Sequence, residues 1–118
     1  MTQPSNASRA QFTSLKTATQ NAIGNLFEQE LEAIREGRDD DADQLFQKRS
    51  ELKAEVEEIR KAEIAYLLSE APAAQAEAAL KAAAARARKA VNDMTNTAKA
   101  LAGAAVMINI LTTLVGII

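Results

Sequence analysis

Apolar residues recur at intervals of three and four over residues 9–36, the spacing that places side chains on one face of an α-helix. The positions concerned are Phe12, Leu15, Ala18, Ala22, Ile23, Leu26, Phe27, Leu31, Ala33 and Ile34. Gly37 follows the last of them, where a helix favours a glycine in the left-handed conformation as its C-terminal cap. The pattern predicts a first helix over residues 9–36, preceded by a flexible polar arm at residues 1–8.

A second helix is predicted over residues 41–69, because apolar side chains recur there every seven residues. The seven-residue series is Leu45, Leu52, Ile59 and Tyr66. Pro72 ends this helix, since the residue before a proline avoids the helical conformation. Because only a short connection separates the two helices, we expect residues 9–70 to fold back as an antiparallel, coiled-coil-like hairpin.

Acidic residues at positions 39, 40, 41 and 43 have the spacing with which a calcium-binding EF-hand loop begins. Counted from Asp39, however, the loop would need glycine where Gln44 stands and glutamate where Ser50 stands. A calcium site is therefore not predicted. Instead, we expect Asp39 or Asp40 to cap the N-terminus of the second helix, and the remaining acids to complement its positive end.

The next stretch is rich in alanine, which fills twelve of the twenty positions 71–90 and gives high helix propensity with little side-chain bulk. An unbroken apolar series runs through it at spacings of four and three: Leu80, Ala84, Ala87, Val91, Met94, Ala98, Leu101, Ala105 and Ile108. The series predicts one long helix over residues 73–116, within a third segment at residues 73–118. The alternative is a break near Thr95, because residues 95–97 are weak helix formers. The predicted fold class is all-α: a hairpin plus a long alanine-rich third helix.

The end of the chain, residues 100–118, is apolar, and no charged residue occurs after Lys99. As a helix this segment is about 27 Å long, close to the roughly 30 Å of a bilayer's hydrocarbon core. Three interpretations remain open: a membrane anchor, the core helix of a soluble oligomer, and a segment that enters a bilayer only conditionally. The anchor is favoured because basic residues precede the segment, an arrangement that keeps the N-terminal part in the cytoplasm.

The side chains of this apolar segment divide into two faces. We predict that the aliphatic face contacts lipid: Leu101, Val106, Ile110, Leu111, Leu114 and Ile117. Small residues let helices approach closely, and an Asn or Thr side chain in lipid seeks a hydrogen bond across a helix pair. We therefore predict that the opposite face assembles copies of the chain into a homo-oligomer: Ala105, Asn109, Thr112, Thr113 and Gly116.

Charge is unevenly distributed along the chain, although the net charge is only −2. Residues 78–99 carry five bases against one acid, directly before the apolar segment. Arg88, Lys89 and Lys99 lie nearest to that segment and are predicted to contact anionic lipid head groups. The alternative is that these bases only keep an alanine-rich helix soluble. Binding to nucleic acid is not expected, because no aromatic residue is interleaved with them.

Catalysis is not predicted, because the chain contains neither cysteine nor histidine. Histidine is the commonest general base and the commonest transition-metal ligand in proteins. Carboxylate pairs such as Glu51 with Glu55 lie among lysines on polar faces, and the four glycines are too scattered for a phosphate-binding loop. We therefore expect no metal, no cofactor and no small-molecule substrate.

The predicted function is that of a non-enzymatic, self-associating structural or interaction protein attached to a membrane. Its expected partners are further copies of itself and the lipid bilayer. One alternative is a membrane-permeabilising protein, such as a pore-forming toxin subunit or a phage lysis factor. A further alternative is a soluble oligomeric helical-bundle scaffold.

Overall fold

A computed structural model of the chain describes residues 6–68 and 74–117, and within these ranges all regular structure is α-helical. The helices are α1 (Asn6–Arg35), α2 (Asp39–Leu67), α3 (Ala74–Asn92) and α4 (Thr97–Ile117). The predicted all-α class is confirmed. The predicted arm at residues 1–8 is too long, because α1 already begins at Asn6, and residues 1–5 lie outside the described residues.

Helices α1 and α2 form the predicted antiparallel hairpin. Lys16 near the start of α1 pairs with Glu63 near the end of α2, at 2.8 Å between Nζ and Oε1. The turn between the helices closes as predicted on Gly37, whose φ of 73° is the left-handed conformation that a glycine cap adopts at little cost. The amide of Arg38 then donates to the Ala33 carbonyl at 2.8 Å.

The predicted N-terminal cap of α2 is wrong. Arg38, and neither Asp39 nor Asp40, occupies the cap position, and it makes no capping side-chain hydrogen bond. Asp39, Asp40 and Asp41 instead lie in the first turn, where carboxylates complement the positive end of the helix as predicted. The Arg38 guanidinium donates to Asp41 at 2.8 Å, and this hydrogen bond, with Glu36 nearby, raises the pKa of Arg38 above its usual value.

The single helix predicted over residues 73–116 is wrong, and the break near Thr95 is present. Helix α3 ends at Asn92, and α4 begins at Thr97 and returns antiparallel to it. Asn96 is the N-cap of α4, because its Oδ1 accepts a hydrogen bond from the Lys99 amide at 2.9 Å. The turn is also held from outside, since Asn25 Nδ2 donates to the Met94 carbonyl at 3.1 Å.

The break changes which side chains of the last helix face the core. The apolar series predicted Ala98, Leu101, Ala105 and Ile108 as the seam, but Ala98 and Ala105 are exposed and the other two are half-buried. The buried positions of α4 are Ala100, Gly103, Ala104, Met107, Ile110, Leu111 and Leu114. A helix that restarts after a turn has no fixed phase relative to the preceding one, so the series could not continue across residues 93–96.

The four helices form an elongated bundle of about 57 × 21 × 18 Å. Helix α1 packs beside α2 and α3, and α4 closes the bundle by packing beside α2 and α3 on the opposite side. Ser14 and Asn25 of α1 meet Arg88 and Met94 in the same order, which shows that α1 and α3 run in the same direction. The fold therefore consists of two antiparallel hairpins packed against each other.

The core lies along the axis of this bundle. Helix α2 contributes the apolar residues that were predicted from their spacing of seven, since Leu45, Leu52, Ile59 and Tyr66 are all buried. Phe12 of α1 packs edge-on against the Tyr66 ring, with centroids 5.3 Å apart. Helix α3 contributes mostly alanine to the core, so its neighbours approach closely, as the small side-chain bulk predicts.

The predicted apolar face of α1 is only partly correct. Its buried stripe continues from Leu26 to Glu30 and Ala33, whereas Phe27, Leu31 and Ile34 lie one position away and are exposed. No helix of the described part of the chain covers these three side chains fully, because α2 packs on the neighbouring stripe.

Gly103 sets the approach of α4 to α3, and replacing it by alanine is expected to destabilise the bundle. A Cβ atom there would lie 2.7 Å from Met94 Cγ and 3.1 Å from the Ala90 carbonyl oxygen. The overpacking outweighs the gain in helix propensity, for a net loss of about 1 kcal/mol in unfolding free energy. Gly24→Ala is the matched control: nothing lies within 4 Å of that Cβ, and a gain of about 0.5–1 kcal/mol is expected. Urea unfolding followed by circular dichroism measures both, and equal signs would contradict the prediction.

Candidate functional site

Helix α4 is the candidate functional element, and its aliphatic face is turned inward. Among the side chains predicted to contact lipid, Ile110, Leu111 and Leu114 are buried in the core. Leu101 is half-buried, and Val106 is exposed over 46% of its surface. The side chain of Ile117 lies outside the described residues. In this conformation the chain's own helices therefore cover most of the aliphatic face.

The predicted assembly face of α4 is turned outward. Ala105, Asn109, Thr112, Thr113 and Gly116 are all exposed, and together they form one strip along the helix. Thr113 Oγ1 donates to Asn109 Oδ1 at 3.2 Å, and the amide nitrogen of the exposed Asn109 side chain is a further hydrogen-bond donor. No charged residue follows Lys99 in the sequence, so this surface of small and uncharged side chains is unlike the charged outer surface of α2.

By length and composition, α4 is the one helix in the described part of the chain that is able to cross a membrane. The stretch Thr97–Gly116 has a mean hydropathy of 1.7, and 39% of it is buried inside the bundle. A core helix of a water-soluble protein meets the same criterion, so the composition alone is weak support for insertion. What distinguishes α4 is that, after Lys99, a buried aliphatic face is combined with an uncharged exposed one.

The N-terminal end of α4 is tied to the α1–α2 hairpin. Arg38, at the tip of that hairpin, donates from Nη1 to Thr97 Oγ1 at 3.1 Å as well as to Asp41. Asn25 of α1 holds the Met94 carbonyl in the α3–α4 turn. These polar contacts are few and partly exposed, whereas the rest of α4 is held by apolar packing. The attachment of α4 to the bundle therefore depends mainly on the burial of its aliphatic face.

A groove of about 630 Å³ lies between α3 and α4 beside their connecting turn. The basic residues at its rim are Arg86, Lys89 and Lys99, with Asp93 as the acidic residue among them. Ala90, Ala102, Gly103 and Val106 supply its apolar surface. The antiparallel return of α4 creates this groove, because it places Lys99 beside the end of α3, whereas in a continuous helix Lys99 would lie about two turns beyond Asn92.

The three bases predicted to contact head groups do not share one surface. Lys89 and Lys99 both line the groove, but Arg88 points to the other side of α3 and donates from Nη1 to Ser14 Oγ on α1 at 2.5 Å. Arg86, which was not among the predicted head-group contacts, lines the groove together with Lys89 and Lys99. Positions 86 and 89 are three residues apart and share a helix face, which a helical projection would have shown once the turn was recognised.

A second polar feature, which the sequence patterns did not predict, lies between α1 and α2. Arg49 donates to both carboxylate oxygens of Glu30, at 3.0 and 3.3 Å from Nη2. Its guanidinium also stacks on Phe27 and Phe46, 5.1 and 5.2 Å from their ring centroids. The stacking covers part of two otherwise exposed aromatic rings.

No group of three or more acidic side chains close enough to hold a metal ion occurs among residues 6–68 and 74–117. Comparison with known proteins adds no relative: no family model, no curated protein and no solved structure matches the chain.

Proposed function

We propose that the protein is a non-enzymatic, membrane-attached structural component that self-associates through the outer face of α4. The observation that supports this proposal is the exposure of the small and uncharged strip Ala105, Asn109, Thr112, Thr113 and Gly116 on an otherwise folded bundle. A helix that only closed a monomeric bundle would carry charged residues on its water-facing side. The strip of α4 carries none.

The occupant we propose for this strip is α4 of a second copy. Small side chains let two helix backbones approach closely, and the Asn109 amide and the Thr112 hydroxyl offer hydrogen bonds across such a pair. A two-fold pair brings each residue of the strip close to its own counterpart. The contact does not require the aliphatic face, which in the folded bundle is packed against the other helices.

Membrane attachment uses the other face of the same helix. For α4 to enter a bilayer, Ile110, Leu111 and Leu114 must leave the core, and lipid then replaces the α1–α3 side chains around them. The turn at residues 93–96 provides the hinge, and the contacts of Arg38 and Asn25 are the polar contacts that break. The basic residues of α3 lie on the side of the hinge that stays in water.

Single-cysteine cross-linking tests the proposed α4 pair, and the natural absence of cysteine provides a clean background. Ala105→Cys is expected to form a disulfide-linked dimer under mild oxidation, because the strip lies at the centre of the contact. Ala85→Cys is the matched control, since it exposes the same side chain on the outer surface of α3. Cross-linking is read on a non-reducing gel. Equal cross-linking of both variants, or of neither, would place the contact elsewhere.

Extraction distinguishes the proposal from a soluble oligomeric scaffold. When the protein is produced in bacteria, a fraction resistant to carbonate washing is expected in the membrane pellet. Complete recovery in the soluble fraction, with cross-linking through Ala105→Cys retained, would favour the scaffold and contradict membrane attachment.

The second candidate function is membrane permeabilisation, and the storage of an apolar helix face inside a folded bundle is the observation that favours it. Such a protein is soluble first and releases α4 on contact with a bilayer. It is expected to release dye from liposomes at micromolar concentration, whereas a structural component leaves the liposomes intact. The two candidates share the mobile helix and differ in whether the inserted helices open a path for solutes.

A further inference from the structure

We propose that the groove between α3 and α4 binds the phosphate head group of an anionic lipid-like amphiphile, with its hydrocarbon part along the apolar floor. The inference rests on the proposed membrane attachment, because it names the part of the folded protein that first engages the lipid. The volume of about 630 Å³ is within the range of roughly 300–1,000 Å³ that is usual for ligand pockets.

The charge of the groove is unbalanced. Among the residues that the structure describes, Arg86, Lys89 and Lys99 form no ion pair, although Asp93 lines the same groove. Bases elsewhere, such as Arg38 and Arg49, do pair with carboxylates. Three like charges around a concave surface focus a positive potential and attract an anion. Arginine and lysine donors are also the usual partners of phosphate oxygens.

The apolar floor of the groove would contact the hydrocarbon part of the ligand. Ala90, Ala102 and Gly103 line this floor with small side chains, and Val106 adds an exposed aliphatic surface. A bare phosphate ion would leave this apolar surface wet, whereas the first part of a hydrocarbon chain would cover it.

The charge requirement is tested with vesicles of phosphatidylcholine, with and without phosphatidylglycerol. Binding by co-sedimentation is expected only with the anionic lipid. The triple variant Arg86→Gln/Lys89→Gln/Lys99→Gln is expected to bind about a hundredfold more weakly, because each basic residue near an anionic surface contributes roughly a factor of five. Lys48→Gln/Lys53→Gln/Lys61→Gln removes the same charge from the outer surface of α2 and is the matched control. Equal losses in both variants would overturn the groove as the site.

The shape requirement is tested without any change of charge. Ala102→Phe fills the groove and is expected to weaken vesicle binding about tenfold, a loss of roughly 1.4 kcal/mol. Ala85→Phe places the same ring on the exposed surface of α3, outside the groove, and is expected to leave binding unchanged. An unchanged affinity of Ala102→Phe would overturn the role of the floor. Both positions are exposed, so both variants are expected to keep the helical fold, which circular dichroism checks.

A titration with a water-soluble phosphate ester distinguishes a lipid-like amphiphile from a free phosphate ester as the ligand. Glycerol phosphate is titrated into isotopically labelled protein, and the amide resonances of Lys89 and Lys99 are followed. Weak shifts together with strong vesicle binding support the amphiphile. Shifts at low concentration without vesicle binding would identify a free phosphate ester and overturn the lipid assignment, and no response to either ligand would overturn the site. If the groove variants lose vesicle binding while Ala105→Cys cross-links do not form, the groove stands and the proposed assembly fails.

Discussion

Replacing Leu111 by arginine is expected to unfold the bundle, with a loss of about 4 kcal/mol or more in unfolding free energy. Leu111 has no exposed surface, and α4 packs beside α2 and α3 around it. An arginine there loses the packing of the leucine and buries a guanidinium that has no carboxylate partner. Urea unfolding monitored by circular dichroism at 222 nm measures the loss. A helix that projected freely from the bundle would show no such effect, so an unchanged midpoint would contradict the buried position of α4.

Thr112→Arg is the matched substitution on the other side of the same helix. Thr112 is exposed, so the arginine remains in water and the unfolding free energy is expected to change by less than about 0.5 kcal/mol. In a bilayer the same charge costs about 2.5–3.5 kcal/mol near the centre of a spanning helix. The carbonate-resistant fraction is therefore expected to disappear for Thr112→Arg and to persist for the uncharged Thr112→Gln. Persistence of the resistant fraction in Thr112→Arg would contradict insertion of α4.

The contrast between these two positions explains why the folded protein and the inserted helix place different demands on one sequence. The bundle needs Met107, Leu111 and Leu114 inside, and tolerates any small or polar residue outside. A bilayer needs the absence of charge on every side. The part of α4 that follows Lys99 satisfies both conditions, whereas α2 satisfies only the first, because its outer surface is heavily charged. This difference between two helices of the same bundle is the strongest physical support for a membrane-related role.

Local patterns in the sequence were sufficient for the α1–α2 hairpin. The seven-residue series from Leu45 to Tyr66 marks the buried face of α2, and Gly37 marks the turn, because each of these signals acts within a few residues. The exposure of Phe27 depends on which helix lies beside it, which is a tertiary property. A list of apolar positions could not distinguish the stripe that α2 covers from the stripe next to it.

The turn between α3 and α4 shows the limit of periodicity more clearly. The apolar series through Met94 is continuous in the sequence, and the signal against a single helix was Asn96, a residue type that is favoured at N-caps. Capping stabilises a helix start by about 1 kcal/mol, and packing α4 back on α2 adds the burial of a whole helix face. The groove was not predictable while the helix was treated as continuous, since Lys99 and Arg86 meet only after the chain reverses.

The largely buried ion pair between Glu30 of α1 and Arg49 of α2 is expected to have the second largest effect. Glu30 and Arg49 have side chains that are only 10% and 18% exposed, and Arg49→Met leaves the Glu30 carboxylate with no cation in the pair. The methionine keeps the apolar contact with Phe27 and Phe46, so the change mainly removes the charge. We expect a loss of about 3 kcal/mol in unfolding free energy at neutral pH, measured by urea unfolding.

Two comparisons make this expectation specific to the buried pair. Lys48→Met removes the cation of the neighbouring Lys48–Glu51 pair, whose side chains are 35% and 52% exposed, and a change of less than about 1 kcal/mol is expected because water screens that pair. The double variant Glu30→Gln/Arg49→Met removes the unpaired charge and is expected to recover most of the stability that Arg49→Met loses. If Arg49→Met costs no more than Lys48→Met, the pair acts as an ordinary surface contact. If the double variant is as unstable as Arg49→Met, the stacking of Arg49 on the aromatic rings, rather than its charge, stabilises the contact between α1 and α2.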